Sequence, residues 1–113
     1  MSGAFEESVE FRMRENFDDA DAVRLVLTGE LDLAVAAMFG DRLRMLREAG
    51  HAVRLDLAEL EFIDSCGLRE LIFALDEARS NGWRLDIDPH VNATVRRTVD
   101  MAGLTSYLWP EEG

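Results

Sequence analysis

A chain of 113 residues has room for one folded module with a real core, and one domain over residues 1–113 is expected. Twelve Lys and Arg stand against 23 Asp and Glu, and the resulting net charge of −11 repels a phosphate backbone, so no nucleic-acid partner is expected. No apolar run of about 18 residues and no basic-then-apolar leader occurs, which predicts no membrane insertion, no secretory signal and a cytoplasmic location.

Val9, Phe11 and Met13 alternate with Glu10, Arg12 and Arg14, the period of an edge strand with one wet face. The polar cluster Asn16 to Asp21 reads as a hairpin loop. Ala22 to Thr28 is nearly all apolar apart from Arg24, as in a central strand covered on both faces, and Gly29 is expected to end it. The period then changes: Val35, Phe39, Leu43 and Leu46 form one helical stripe over Leu33 to Ala49, with Asp32 as cap and Gly50 past the end. Val53, Leu55 and Leu57 mark the next strand, and Leu68, Leu71, Ile72 and Leu75 the next helix, closed by Asn81-Gly82. Trp83 to Ile87 predicts a further strand and Asp88-Pro89 a break. Val91, Val95, Val99 and Ala102 predict a last helix ending at Gly103, after which Tyr107-Leu108-Trp109 reads as a return to the sheet.

The stretch Phe62-Ile63-Asp64-Ser65-Cys66-Gly67-Leu68 carries the most chemistry. A buried strand runs there into a small-residue turn that exposes a hydroxyl or thiol. The helix start beneath it offers unpaired N–H groups and the positive end of a dipole, which would stabilise a phosphate. Right-handed βα crossovers make the strands at 22–28, 52–57 and 83–87 parallel, with their C-terminal ends on one edge. The loops Gly29-Glu30-Leu31-Asp32 and Asp64-Ser65-Cys66-Gly67 are therefore expected to converge there.

These segments, in this order and spacing, resemble the STAS domain of bacterial anti-sigma factor antagonists. The likeness runs through the N-terminal hairpin, Gly29-Glu30-Leu31-Asp32, Leu55-Asp56-Leu57, the 62–68 stretch and Ala102-Gly103-Leu104. It implies an α/β fold, a small mixed β-sheet of an N-terminal hairpin plus parallel strands with helices packed on it. It also implies a non-enzymatic regulatory phosphoprotein acting in transcription through a sigma factor. In the family an anti-sigma factor kinase binds the loop edge and phosphorylates a hydroxyl, the unmodified form sequesters that kinase, and a serine phosphatase resets the switch. Carried over, the docking residues are Glu30, Leu31, Asp32, Asp64, Ser65, Cys66, Gly67 and Leu68, with Gly67 allowing close backbone approach. The family's loop usually reads Asp-Ser-Ser-Gly with the second hydroxyl as acceptor. That position is Cys66 here, which a serine kinase is not expected to use, so Ser65 is the remaining candidate for phosphorylation. A phosphate brings about −1.5 to −2 charges, and beside Asp32 and Asp64 it would change the outward potential more than the fold.

Simpler roles compete at each position. Ser65 and Asp32 can be helix caps, Asp64 a turn acceptor, and Cys66 a small packed side chain. The lone cysteine forms no internal disulfide, and with His51 and His90 it shows no metal-ligand spacing, so neither zinc nor a cofactor is expected. His51 begins a strand and is expected about 20 Å from the loop edge. His90 follows a parallel strand and can reach the same edge, which leaves a small hydrolase using Ser65 or Cys66 with His90 as the weakest alternative, without an identifiable acid-base-nucleophile set or a Gly-rich oxyanion loop. The intermediate alternative is a non-catalytic STAS accessory subunit of a transporter or a stress-signalling complex. Oligomeric state is not legible.

Overall fold

The computed structural model describes residues 10–18 and 22–112. Val9 of the expected edge strand and residues 19–21 of the expected hairpin loop lie outside the described residues. Strand β1 (Arg12–Phe17) runs antiparallel to β2 (Ala22–Leu31). The strand reaches past Asn16, where a loop was expected. Asn16 pairs with Arg24 and Phe17 with Val23, and the Phe17 ring meets His51 edge-on at 5.2 Å. Cross-strand pairing here outweighs polar composition.

Gly29 does not end β2. It bends it at φ 91°, a conformation natural to glycine, and an added Cβ would run into the Glu10 carbonyl. The ladder slips between Gly29 and Glu30, and β2 changes neighbours there. Residues Ala22 to Val26 pair in parallel with β3 (Ala52–Asp56), whereas Gly29 to Leu31 pair in parallel with β4 (Leu60–Ile63). The strand expected over 52–57 and the buried run before Asp64 are thus two short strands sharing one side of β2. A last strand, β5 (Leu85–Ile87), pairs in parallel with β3, giving a five-stranded mixed sheet in the order β1-β2-β3-β5, with β4 against the end of β2.

Helices α1 (Leu33–Glu48) and α2 (Ser65–Asn81) each cross back over the same sheet face. Phe39, Leu43 and Leu46 of α1 and Leu68, Leu71 and Leu75 of α2 are buried with Leu25, Leu27, Leu55 and Leu57 in one cluster. At about 1.5–3 kcal/mol per fully buried large side chain, this interface rather than helix propensity holds both helices in place. Ala36, not foreseen, joins the buried stripe, while Val35 is only half-buried.

The C-terminal third departs most from expectation. Trp83 is taken by the end of α2: its N–H bonds to Ala78 after Gly82 turns left-handed, and its Nε1 donates to the His51 carbonyl at 2.7 Å. Helix α3 (Ala93–Met101) is capped by Asn92, whose Oδ1 accepts from Val95 N–H, so Val91 precedes it and Ala102 follows it. The tail does not return to the sheet. Thr105–Leu108 forms a short helix, α4, and Leu108 and Trp109 are buried in the core, with the Arg96 guanidinium 4.3 Å over the Trp109 ring.

The other sheet face is not covered along its lower half, contrary to the reading of β2 as buried on both sides. Arg24 pairs there with Asp56 at 2.9 Å, and Arg54 with Asp86 at 2.7 Å. Asp88 accepts from the backbone N–H and the ring of His90, 3.0 and 2.7 Å away, with Arg24 and Arg54 each at 3.6 Å. The His90 backbone bond, then its side-chain bond, then Arg54 hold the Asp88 carboxyl at about 2, below its usual 3.8, against the opposing effect of burial. A depressed carboxyl stabilises the fold above pH 3.8 and loses that contribution as pH falls through 2. Asp88→Asn is accordingly expected to lower stability at pH 6 and to flatten the fall in stability between pH 3.8 and 2. Urea titrations of both proteins across that range check this.

Candidate functional site

Both helices that follow the upper ends of β2 and β4 begin at the same rim. Asp32 caps α1, its Oδ1 accepting from Ala34 N–H at 3.0 Å. Asp64 caps α2 and accepts from Cys66 N–H at 2.9 Å and Gly67 N–H at 3.0 Å. Its second oxygen accepts from Leu33 N–H at 3.0 Å, at the start of the other helix. Asp64 N–H in turn donates to the Leu31 carbonyl at 3.1 Å. One carboxylate therefore ties the two chain segments together, and the segment 29–31 reaches the rim as the end of β2 rather than as a loop.

Gly67 makes this closeness possible. A Cβ there would sit 2.7 Å from both the Leu31 carbonyl oxygen and Leu31 Cγ, and 3.0 Å from Ile63. Leu31 and Leu68 are buried beneath the rim, so their side chains support it from below. Asp32, Glu30, Asp64 and Cys66 are half-buried, and Ser65 is exposed. Ser65 is not the cap but the first residue of α2, and among the described residues its hydroxyl has no hydrogen-bond partner.

The occupancy of the helix start alters the expected phosphate chemistry. The N–H groups of Cys66, Gly67 and Leu33 are already bonded to Asp64. A phosphate on Ser65 would meet the carboxylates of Asp32 and Asp64 without those donors in return, so repulsion dominates over helix-terminus stabilisation.

Two apolar side chains outside the expected docking set flank the rim: Leu33, 74% exposed, and Phe62, 39% exposed. Leu33 lies outside the stripe Val35, Phe39, Leu43 and Leu46, which is the signal that marks it. Phe62 is paired with Glu30 across β4 and β2. An apolar pair around an acidic centre suits contact with a macromolecule better than enclosure of a substrate. His90 does not join the rim: its ring bonds to Asp88, and among the described residues no hydrogen bond links it to Ser65 or Cys66. No group of three or more His, Cys, Asp or Glu suited to a metal occurs among the described residues, and no described helix is long and apolar enough to cross a membrane.

A family model described as "Mlab, STAS domain" matches residues 15–110. No curated protein matches the chain significantly. Among solved structures, an anti-sigma factor antagonist from Mycobacterium paratuberculosis aligns with TM-score 0.71 at 19% identity, over 88% of this chain and 84% of that one. SpoIIAA in its unphosphorylated form aligns with TM-score 0.69 at 20% identity, over 82% of each chain. The Bacillus cell fate determinant SpoIIAA in its phosphorylated form gives 0.63 at 20% identity, over 82% of this chain and 85% of that one.

Proposed function

The chain belongs to the STAS domain family, and from that premise we propose that it is an anti-sigma factor antagonist-like regulator with no catalytic activity of its own. Its partner is an anti-sigma factor serine kinase in the cytoplasm, met by the rim of Glu30, Asp32, Asp64, Ser65 and the flanking Leu33 and Phe62. The observation that carries this reading is the Asp64 carboxylate bonded to both helix starts, which fixes an exposed Ser65 hydroxyl within an acidic surface. The structures that share this fold include named anti-sigma factor antagonists, one of them in both phosphorylation states.

Ser65 is the acceptor in this reading and Cys66, half-buried at the family's acceptor position, is a packed side chain. Phosphate on Ser65 weakens docking by repulsion, and a serine phosphatase restores it. Incubation with purified candidate kinases and ATP, followed by intact mass and pull-down, tests this directly. Wild type is expected to capture a kinase and gain one phosphate, and Ser65→Ala to capture it without the gain. If no such kinase is retained by the unmodified protein, the reading is wrong.

The thiol at the acceptor position favours one second reading, a constitutive STAS accessory subunit of a transporter or stress-signalling complex held by the same rim. Kinase treatment then leaves the mass unchanged in wild type, and Leu33→Asp, which does not touch the core, releases the assembly partner.

A further inference from the structure

Further along the two helices from the rim, the seam between them holds a cleft. Helices α1 and α2 run side by side in the same direction, since each returns from the upper end of parallel strands. Leu33, Ala37, Gly40 and Arg44 recur on one face of α1, and Cys66, Glu70 and Phe73 on the facing side of α2, at three- and four-residue steps. From Gly40 onward the seam opens into a cleft of about 260 Å³ between Arg44, Glu70, Phe73 and Trp83. Gly40 forms its floor: a Cβ there would run into the Glu70 carboxylate, which lies across the glycine. Phe73 is 58% exposed at the cleft wall.

The charges of this cleft are unequal in their pairing. Arg44 is held by Asp41 at 2.8 Å, and Arg47 pairs with Glu77. Glu70 has no partner among the described residues. The cleft therefore presents one uncompensated anion beside an exposed aromatic ring. A second copy of a chain with net charge −11, or a nucleic acid, would bring like charge to it. A cation next to an apolar side chain fits both features.

We propose that the α1–α2 seam receives a basic amphipathic segment of the protein partner, an Arg or Lys pairing with Glu70 while a neighbouring apolar side chain packs on Phe73. This deepens the docking function above and rests on it for the position of the partner's body at the rim. The groove itself is testable without the kinase. A fluorescein-labelled synthetic Leu/Lys amphipathic peptide is titrated against the intact protein, with a Leu/Glu peptide as comparison, and the site is mapped by amide chemical shifts. The Leu/Lys peptide is expected to shift the amides of Ala37, Gly40, Glu70 and Phe73, and the Leu/Glu peptide to leave them in place. Glu70→Lys is expected to weaken the affinity about fivefold and Phe73→Ala about tenfold, typical of an interface ion pair and an aromatic anchor. Glu59→Lys makes the same change in net charge on the exposed turn before β4 and is expected to change affinity less than about twofold. Equal losses for Glu59→Lys and Glu70→Lys, or shifts confined to other surfaces, would overturn the groove. Kinase capture undiminished in Glu70→Lys and Phe73→Ala would also overturn it while leaving the rim in place. Peptide binding in the groove with no kinase retained by wild type would instead remove the rim.

Discussion

Gly67→Ala is expected to lower the stability of the protein by about 1–3 kcal/mol, the range for forcing one extra carbon into a closed contact, and Gly67→Val by more. The obstruction is the Leu31 carbonyl oxygen at 2.7 Å, which is backbone, together with Leu31 Cγ at the same distance. Neither can swing aside without displacing the end of β2. Gly40→Ala provides the contrast. There only the tip of Glu70 obstructs, and it can move, so the gain of about 1 kcal/mol from replacing a mid-helix glycine is expected to survive in large part. Urea denaturation of the two variants beside wild type reads both signs. Equal effects at the two glycines would mean that the α2 start is not packed against β2 as described.

Asp64→Ala is expected to cost about 2–3 kcal/mol, because three N–H groups lose a charge-assisted partner at once where an ordinary N-cap loses one or two. Asp32→Ala removes a single cap bond and is expected to cost about 1 kcal/mol. The decisive readout is amide hydrogen exchange at Leu33. Removing the Asp64 side chain should accelerate it along with Cys66 and Gly67, although Leu33 stands 31 residues earlier in the chain. Unchanged protection at Leu33 would show that the two helix starts are held independently. Asp64→Asn keeps one oxygen but turns a donor toward the remaining N–H groups, so its stability should fall between wild type and Asp64→Ala.

Much of this arrangement is legible where the cause is local. Asp32 before an apolar stripe, and Gly82 closing α2 in a left-handed turn, act within one helical turn of themselves, and both stand where periodicity places them. Elements decided by distant partners are not legible in that way. Asn16 and Phe17 read as loop until β2 pairs with them, Gly29 reads as a stop until a second neighbour extends the strand, and Trp83 reads as strand until the end of α2 takes its N–H. The tail reads as strand because Leu108 and Trp109 are apolar, and the core buries them from a short helix just as well. At the rim, the meeting of the two segments follows from strand direction alone. The carboxylate that joins them does not, since its third donor belongs to another helix, and exposed Leu33 and Phe62 pass for core residues by composition.

The bonding of both helix starts to Asp64 also bears on time. With those amides already engaged, a phosphate attached to Ser65, as proposed, would find no slack segment to reorganise, so modification and altered affinity should arise together, without a lag. In the proposed reading, partner turnover would then be paced by the enzymes that add and remove the phosphate and by the partner's own dissociation rate. A stopped-flow trace of release is expected to follow a single exponential.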